Sequence, residues 1–158
     1  MSKLLTVHIR PIKIKDTEPA VDLIWRVFSE FEAPEYSEEG IAGFKEFIEP
    51  DFMKNKIRYD GFRLWGAYED EKMIGAIAVK PPLHISLLFV DKDYHRQGIA
   101  RRLFQTVIEN KRVVGRIKII TVNSSRYAIE VYSRLGFEKT GDEQIVNGLR
   151  FTPMEYVL

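Results

Sequence analysis

Residues 91–104 read DKDYHRQGIARRLF, a single glycine at the head of a helical pattern with arginines on both sides. The apolar run LHISLLFV leads into it, so a strand ends where a helix begins, near Gly98. The first turn of a helix has backbone N–H groups without partners and carries partial positive charge, so a phosphate fits there. Gly98 has no side chain to hold a bulky anion away from the backbone, and Ala100 keeps the next turn small. Arg96 and Arg101 can reach phosphate oxygens from the rim. The stretch has the chemistry of a diphosphate cradle. The same residues also suit an ordinary capped helix with exposed basic side chains. The chain contains neither G-x-x-x-x-G-K-[ST] nor G-x-G-x-x-G, so it has no P-loop and no dinucleotide fingerprint.

The rest of the chain must position that stretch. At 158 residues, 45% of them hydrophobic, it is large enough for one domain with a packed core. Lys and Arg number 24 against 23 Asp and Glu, and such a balance argues against a coat for nucleic acid or anionic membrane. Without cysteine, a disulfide, a thiolate zinc site and a cysteine nucleophile are excluded. Three scattered histidines lack ligand spacing, so no metal site is expected. The start, MSKLLTVHIRPIKIKD, does not read as a signal peptide, and no window reaches the length of a membrane span. A cytoplasmic location is the expectation.

The elements alternate. LTVHIRPI reads as a strand, and DTEPAVDLIWRVFSEFE as a helix with Val21, Ile24, Trp25 and Phe28 at helical spacing. APEYSEEGIAGFKEFI is a loop and a second helix, with Ser37 as its N-cap. FRLWGAYEDEKMIGAIAVKP is a hairpin about EDEK, and LHISLLFVD a strand buried in mid-sheet. A helix from Gly98, the buried strand GRIKIITVN and a helix SSRYAIEVYSRLG follow, the last with Ser124 and Ser125 as N-caps and an end at Gly136. Two final strands turn near Asn147-Gly148. The expected fold is a mixed α/β arrangement: a mostly antiparallel sheet of about seven strands, one parallel pair made by a right-handed crossover, and four helices.

Two blocks together resemble the acetyl-CoA signature of the GNAT superfamily of N-acetyltransferases. The first is His95-Arg96-Gln97-Gly98-Ile99-Ala100 after Leu88-Phe89-Val90, against the family's Gln/Arg-x-x-Gly-x-Gly/Ala; His95 stands where Gln or Arg is usual. The second is VNSSRYAIEVYSRLGFEKTG, with Asn123, Ala128, Tyr132, Gly136 and Phe137 in the family's order. The resemblance implies acyl transfer from coenzyme A to an amine. It implies a parallel pair that splays apart, with pantetheine against Leu88, Phe89 and Val90 and the Leu88 N–H as oxyanion donor. It places the diphosphate on residues 95–101 and Asn123 opposite the cofactor.

By the same resemblance Tyr132 is the acid that protonates the leaving thiolate, although a core aromatic would also suit that crowded helix. His84 falls where several members carry a glutamate base. A histidine pKa near 6.5 suits that task, and a satisfied strand-start histidine is the equal alternative. Glu30, Glu32 and Glu35 are rivals, since the acceptor site of the family lies between the first two helices. Glu30, Glu32 and Tyr36 are therefore candidates for binding the amine. The expected partner is an amine acceptor, small molecule or protein, bound by a monomer or homodimer, and residues 17–60 hold the choice of acceptor. A non-catalytic acyl-CoA-binding module is the competing function.

Overall fold

A computed structural model describes residues 6–158. Strand β1 (Val7–Pro11) is followed by α1 (Thr17–Phe31), α2 (Glu38–Phe47) and α3 (Pro50–Tyr59). Then come β2 (Arg63–Glu69), β3 (Lys72–Lys80), β4 (His84–Val90), α4 (Ile99–Glu109) and α5 (Lys111–Val114). The chain closes with β5 (Ile119–Ser124), α6 (Ile129–Leu135), β6 (Glu138–Lys139), β7 (Gln144–Val146) and β8 (Leu149–Val157). The strand order is β1-β2-β3-β4-β5-β8-β6, with β7 on β8, and every pairing is antiparallel except β4 with β5.

The mixed, mostly antiparallel sheet with one parallel pair agrees with the sequence reading. The element count is larger: eight strands and six α-helices among the described residues. The additions are α3, α5 and the short β6. Leu5, at the head of the first expected strand, lies outside the described residues. The expected N-cap at Ser37 forms, its hydroxyl accepting from the Gly40 N–H at 3.1 Å. The expected cap of α6 at Ser125 does not form: the N-cap is Ala128, without a side-chain bond, and the Ser125 hydroxyl instead accepts from the Ala128 N–H at 3.2 Å in the turn before the helix. Ser124 instead ends β5, and its hydroxyl donates to the Ser125 carbonyl. Asn147 and Gly148 both have positive φ, 52° and 79°, as a two-residue hairpin turn requires.

Helices cover both faces of the sheet. Helix α1 buries Ala20, Leu23, Ile24, Val27 and Phe28, spaced three and four apart, against one face. Helix α4 buries Ile99, Leu103, Phe104 and Val107 on the other, beside Tyr132 and Leu135 of α6. β3 is buried from Met73 to Val79 and forms the floor of both cores. A methyl on Gly75 would come within 3.1 Å of Ile99, so that glycine lets α4 lie close to the sheet.

Two local features of β4 create the site. The pairing to β3 slips at Ser86, because Val79 faces Ile85 while the next pair is Ala78 with Leu87. Such a bulge rotates the side chains beyond it. Ile85 accordingly packs on the α4 side, whereas Leu87 and Phe89 pack against α1. The parallel pairing to β5 also stops there: it joins only His84 to Thr121 and Ile85 to Val122. From Ser86 onward β4 and β5 diverge.

Candidate active site

The split exposes one edge of β4. The Asp91 N–H donates to the Ile74 carbonyl at 2.8 Å, so residue 91 points its polar groups toward β3. Backbone direction alternates along a strand. Phe89 and Leu87 therefore also face β3, while the N–H and C=O of Leu88 and Val90 face the gap. The Val90 carbonyl confirms the direction, since it lies 2.7 Å from His95 Nε2.

A cavity of about 620 Å³ fills the gap and runs to the head of α4. Its walls include Leu88, Phe89 and Val90 on one side and Ala128, Val131, Tyr132 and Leu135 on the other. At its end lie His95, Arg96, Gly98, Ile99, Ala100 and Arg101. No side chain caps α4; its N-cap is Gly98 at φ 77°, preceded by Arg96 at φ 61°. Left-handed residues before a helix turn successive N–H groups into one concavity, which suits an anion. A methyl added at Gly98 would meet nothing within 4 Å, so open space lies directly over the cradle. Arg101 donates to the Arg134 carbonyl at 2.7 Å, which ties α4 to the end of α6 across the mouth. Gln97 turns away and donates to the Asp93 carbonyl at 3.2 Å. The residues present fit a coenzyme A diphosphate at 96–101 and a pantetheine chain along the free edge of β4.

A second cavity, of about 430 Å³, adjoins the first and shares Glu32, Leu88, Phe89, Ala128 and Tyr132 with it. Tyr36 and Asn123 line this second space and not the first. Glu32 sits at the junction, just past the end of α1. Burial pushes its carboxyl up to about 7; a hydrogen bond with Ser125 opposes the rise and the charge of Glu35 adds to it. Tyr36 is also raised, chiefly by burial and then by Glu32 and Glu35, and it too hydrogen-bonds Ser125. Tyr132 is buried with its ring edge-on to Phe137, and burial followed by the Glu32 charge holds its phenol far above 10.

The candidates do not all meet. Tyr132, Leu88, Phe89, Val90, His95, Arg96, Gly98, Ile99, Ala100, Arg101 and Glu32 share the first cavity. Glu30 is exposed and 3.4 Å from Lys92 in an ion pair. His84 lines neither cavity. It lies at the closed end of the split, where its Nδ1 is 2.8 Å from Thr121 Oγ1. Burial, with Lys80 adding, lowers its pKa to about 4. A histidine held neutral when folded and free to charge when unfolded destabilises the fold as pH falls from about 6.5 toward 4, because only the unfolded chain then binds the proton. We expect His84→Gln to flatten that part of the stability-against-pH curve, measured by urea unfolding. An unchanged curve would show that His84 is not the group responsible.

Sequence reasoning did not reach Phe31, Glu130 and Arg134 in the first cavity or Val146, Leu149 and Phe151 in the second. The Asn147-Gly148 turn marked a hairpin there but carried no sign that it borders the site.

The comparisons with known proteins define the family. The PaiA N-acetyltransferase from Thermoplasma acidophilum, solved in complex with coenzyme A, superposes with a TM-score of 0.78 at 21% identity, covering 96% of this chain and 99% of that one. A family model described as Acetyltransferase (GNAT) domain matches residues 32–158. The chain belongs to the GNAT acetyltransferase family. Among curated proteins, human N-acetyltransferase 8 is 35% identical over 102 residues, 58% of this chain and 45% of that protein. The UPF0157 protein YqkA of Bacillus subtilis (strain 168) is 30% identical over 114 residues, 70% of this chain and 32% of that protein. The chain thus spans less than half the length of these two relatives. Among the described residues no helix is long and apolar enough to cross a membrane.

Proposed function

We propose that this protein transfers an acetyl group from acetyl-CoA to a primary amine by direct attack, with both substrates bound at once. The observation that carries the reading is the meeting of two cavities at Glu32 and Tyr132, beside the gap-facing N–H of Leu88. The cradle at 96–101 holds the diphosphate, and the free edge of β4 orients the thioester. An ammonium entering the second cavity meets Glu32. A carboxylate with pKa about 7 both attracts the cation and accepts its proton near neutral pH. The freed amine attacks the thioester carbonyl, and the Leu88 N–H donates to the oxygen as negative charge develops there. The C–S bond then breaks as the Tyr132 hydroxyl gives its proton to the sulfur, and the second proton of the new amide nitrogen restores the Tyr132 hydroxyl by way of solvent.

The two proton transfers are coupled. Tyr132 is a poor acid while Glu32 is charged, since that charge helps raise its pKa. Once Glu32 has taken the proton from the amine, that part of the shift is gone. Burial, the larger cause, still holds the Tyr132 phenol far above 10 at that stage.

The first test is calorimetric titration with acetyl-CoA, compared with acetyl-pantetheine, followed by acetyl transfer to a panel of amines. Tight acetyl-CoA binding that collapses without the diphosphate supports the cradle. No binding removes the reading. We further expect Tyr132→Phe to lower turnover by about tenfold to a thousandfold while CoA affinity stays within about twofold, because the ring keeps its place on Phe137. Unchanged turnover across pH would remove Tyr132 as the acid.

A further inference from the structure

We propose that the second cavity takes a primary amine with a single cationic centre, attached to an aromatic or bulky apolar group. The proposal rests on the acetyl-transfer reading above and narrows its acceptor. The walls carry it. Phe44 and Phe47 of α2, Phe89 of β4, and Val146, Leu149 and Phe151 of the last hairpin all line the space. Phe44 lies parallel to the fully buried Phe28, ring centroids 3.8 Å apart at 8°, so the aromatic floor is fixed by stacking.

The hairpin wall is also fixed in place. A methyl on Gly40 would clash with the Gly148 carbonyl, so the turn at Gly148 sits directly on the head of α2. At the other end, Glu143 accepts from Arg126 at 2.6 and 2.7 Å and pairs with Arg150 at 3.4 Å.

Charge narrows the class further. Among the described residues lining this space, Glu32 is the one carboxylate. The other charged lining residue is Arg150, a cation already engaged by Glu143. A monoamine places its ammonium at Glu32 and its apolar part among the rings. A polyamine or an aminoglycoside carries more ammonium groups, and beyond Glu32 the lining offers these no second carboxylate, only neutral polar groups, phenyl rings and Arg150. An unpaired charge moved out of water is strongly disfavoured. Attraction of a second ammonium to the ring faces is the competing effect.

The experiment titrates 2-phenylethylamine, 1,4-diaminobutane and spermidine into the protein with and without CoA, and measures acetyl transfer to each. We expect 2-phenylethylamine to bind and react at least about tenfold better than either polyamine. An equal or inverted ranking, in binding or in transfer, overturns the proposal. Failure of the transfer reading registers separately, as absent CoA binding or as amine binding without any product. The exposed Val146→Glu variant gives a second check on the hairpin wall. A second carboxylate there should shift the ranking at least about tenfold toward 1,4-diaminobutane. An unmoved ratio would show that the hairpin does not face the bound amine.

Discussion

Replacing Glu32 with Gln is expected to lower kcat/KM by about 100- to 10,000-fold while leaving CoA affinity within about twofold. The substitution keeps the shape and the hydrogen bond to Ser125 but removes both the charge that attracts the ammonium and the site that accepts its proton. The pH profile distinguishes this role from a packing role. With the carboxylate as base, activity rises with pH through about 7, because the deprotonated form is the working one. That limb should vanish in Glu32→Gln, leaving the ionisation of the amine itself at higher pH. If the limb persists near 7 in the variant, Glu32 is not the base. If kcat/KM drops while the limb remains, the residue only shapes the cavity.

The second large effect is expected at the head of α4. Gly98→Glu should weaken acetyl-CoA binding by at least about 100-fold, since it places a carboxylate where the diphosphate would lie and like charges repel at close range. Packing does not oppose the new side chain, because the space over Gly98 is open. The backbone does oppose it: a φ of 77° costs an L-residue about 1–2 kcal/mol. Gly98→Ala separates the two causes. It carries the backbone cost without the charge and should lose much less affinity. Acetyl-pantetheine, which has no diphosphate, should be used about equally by all three proteins. Normal acetyl-CoA titration of Gly98→Glu would mean that the head of α4 does not hold the diphosphate.

The sheet was legible because its signals are local. An apolar run, a turn glycine and a helical repeat each lie within a dozen residues. The Asn147-Gly148 turn and the Ser37 cap were read correctly for the same reason. Helix α3 was not, since Asp51, Lys54, Lys56 and Arg58 interrupt its apolar positions and Met53 is its one buried residue. Its start depends on a Glu49 cap followed by Pro50, a weak pattern to find unaided. Strand β6 has two exposed residues and is held mainly by pairing with β8.

The acid–base groups show the limit more sharply. Glu32 stood among three acids that sequence alone treats alike. What separates it from Glu30 is Ser125 and Tyr132, about a hundred residues away. His84 was chosen by counting along one strand. Its Thr121 partner belongs to the neighbouring strand, and the place where the pair parts is set by a bulge that no composition signal marks.

That parting has a mechanical consequence. Elsewhere a ladder of bonds holds each strand to the next along much of its length, but β4 and β5 are joined at only two residue pairs, and we expect the two plates of the sheet to pivot there. Ile85 and Val122, both buried beside α6, act as the pin. The angle between the plates then depends on the size of those two side chains. Trimming the pin should alter the grip on both substrates together, although neither residue lines either cavity except Val122 at the edge of the second.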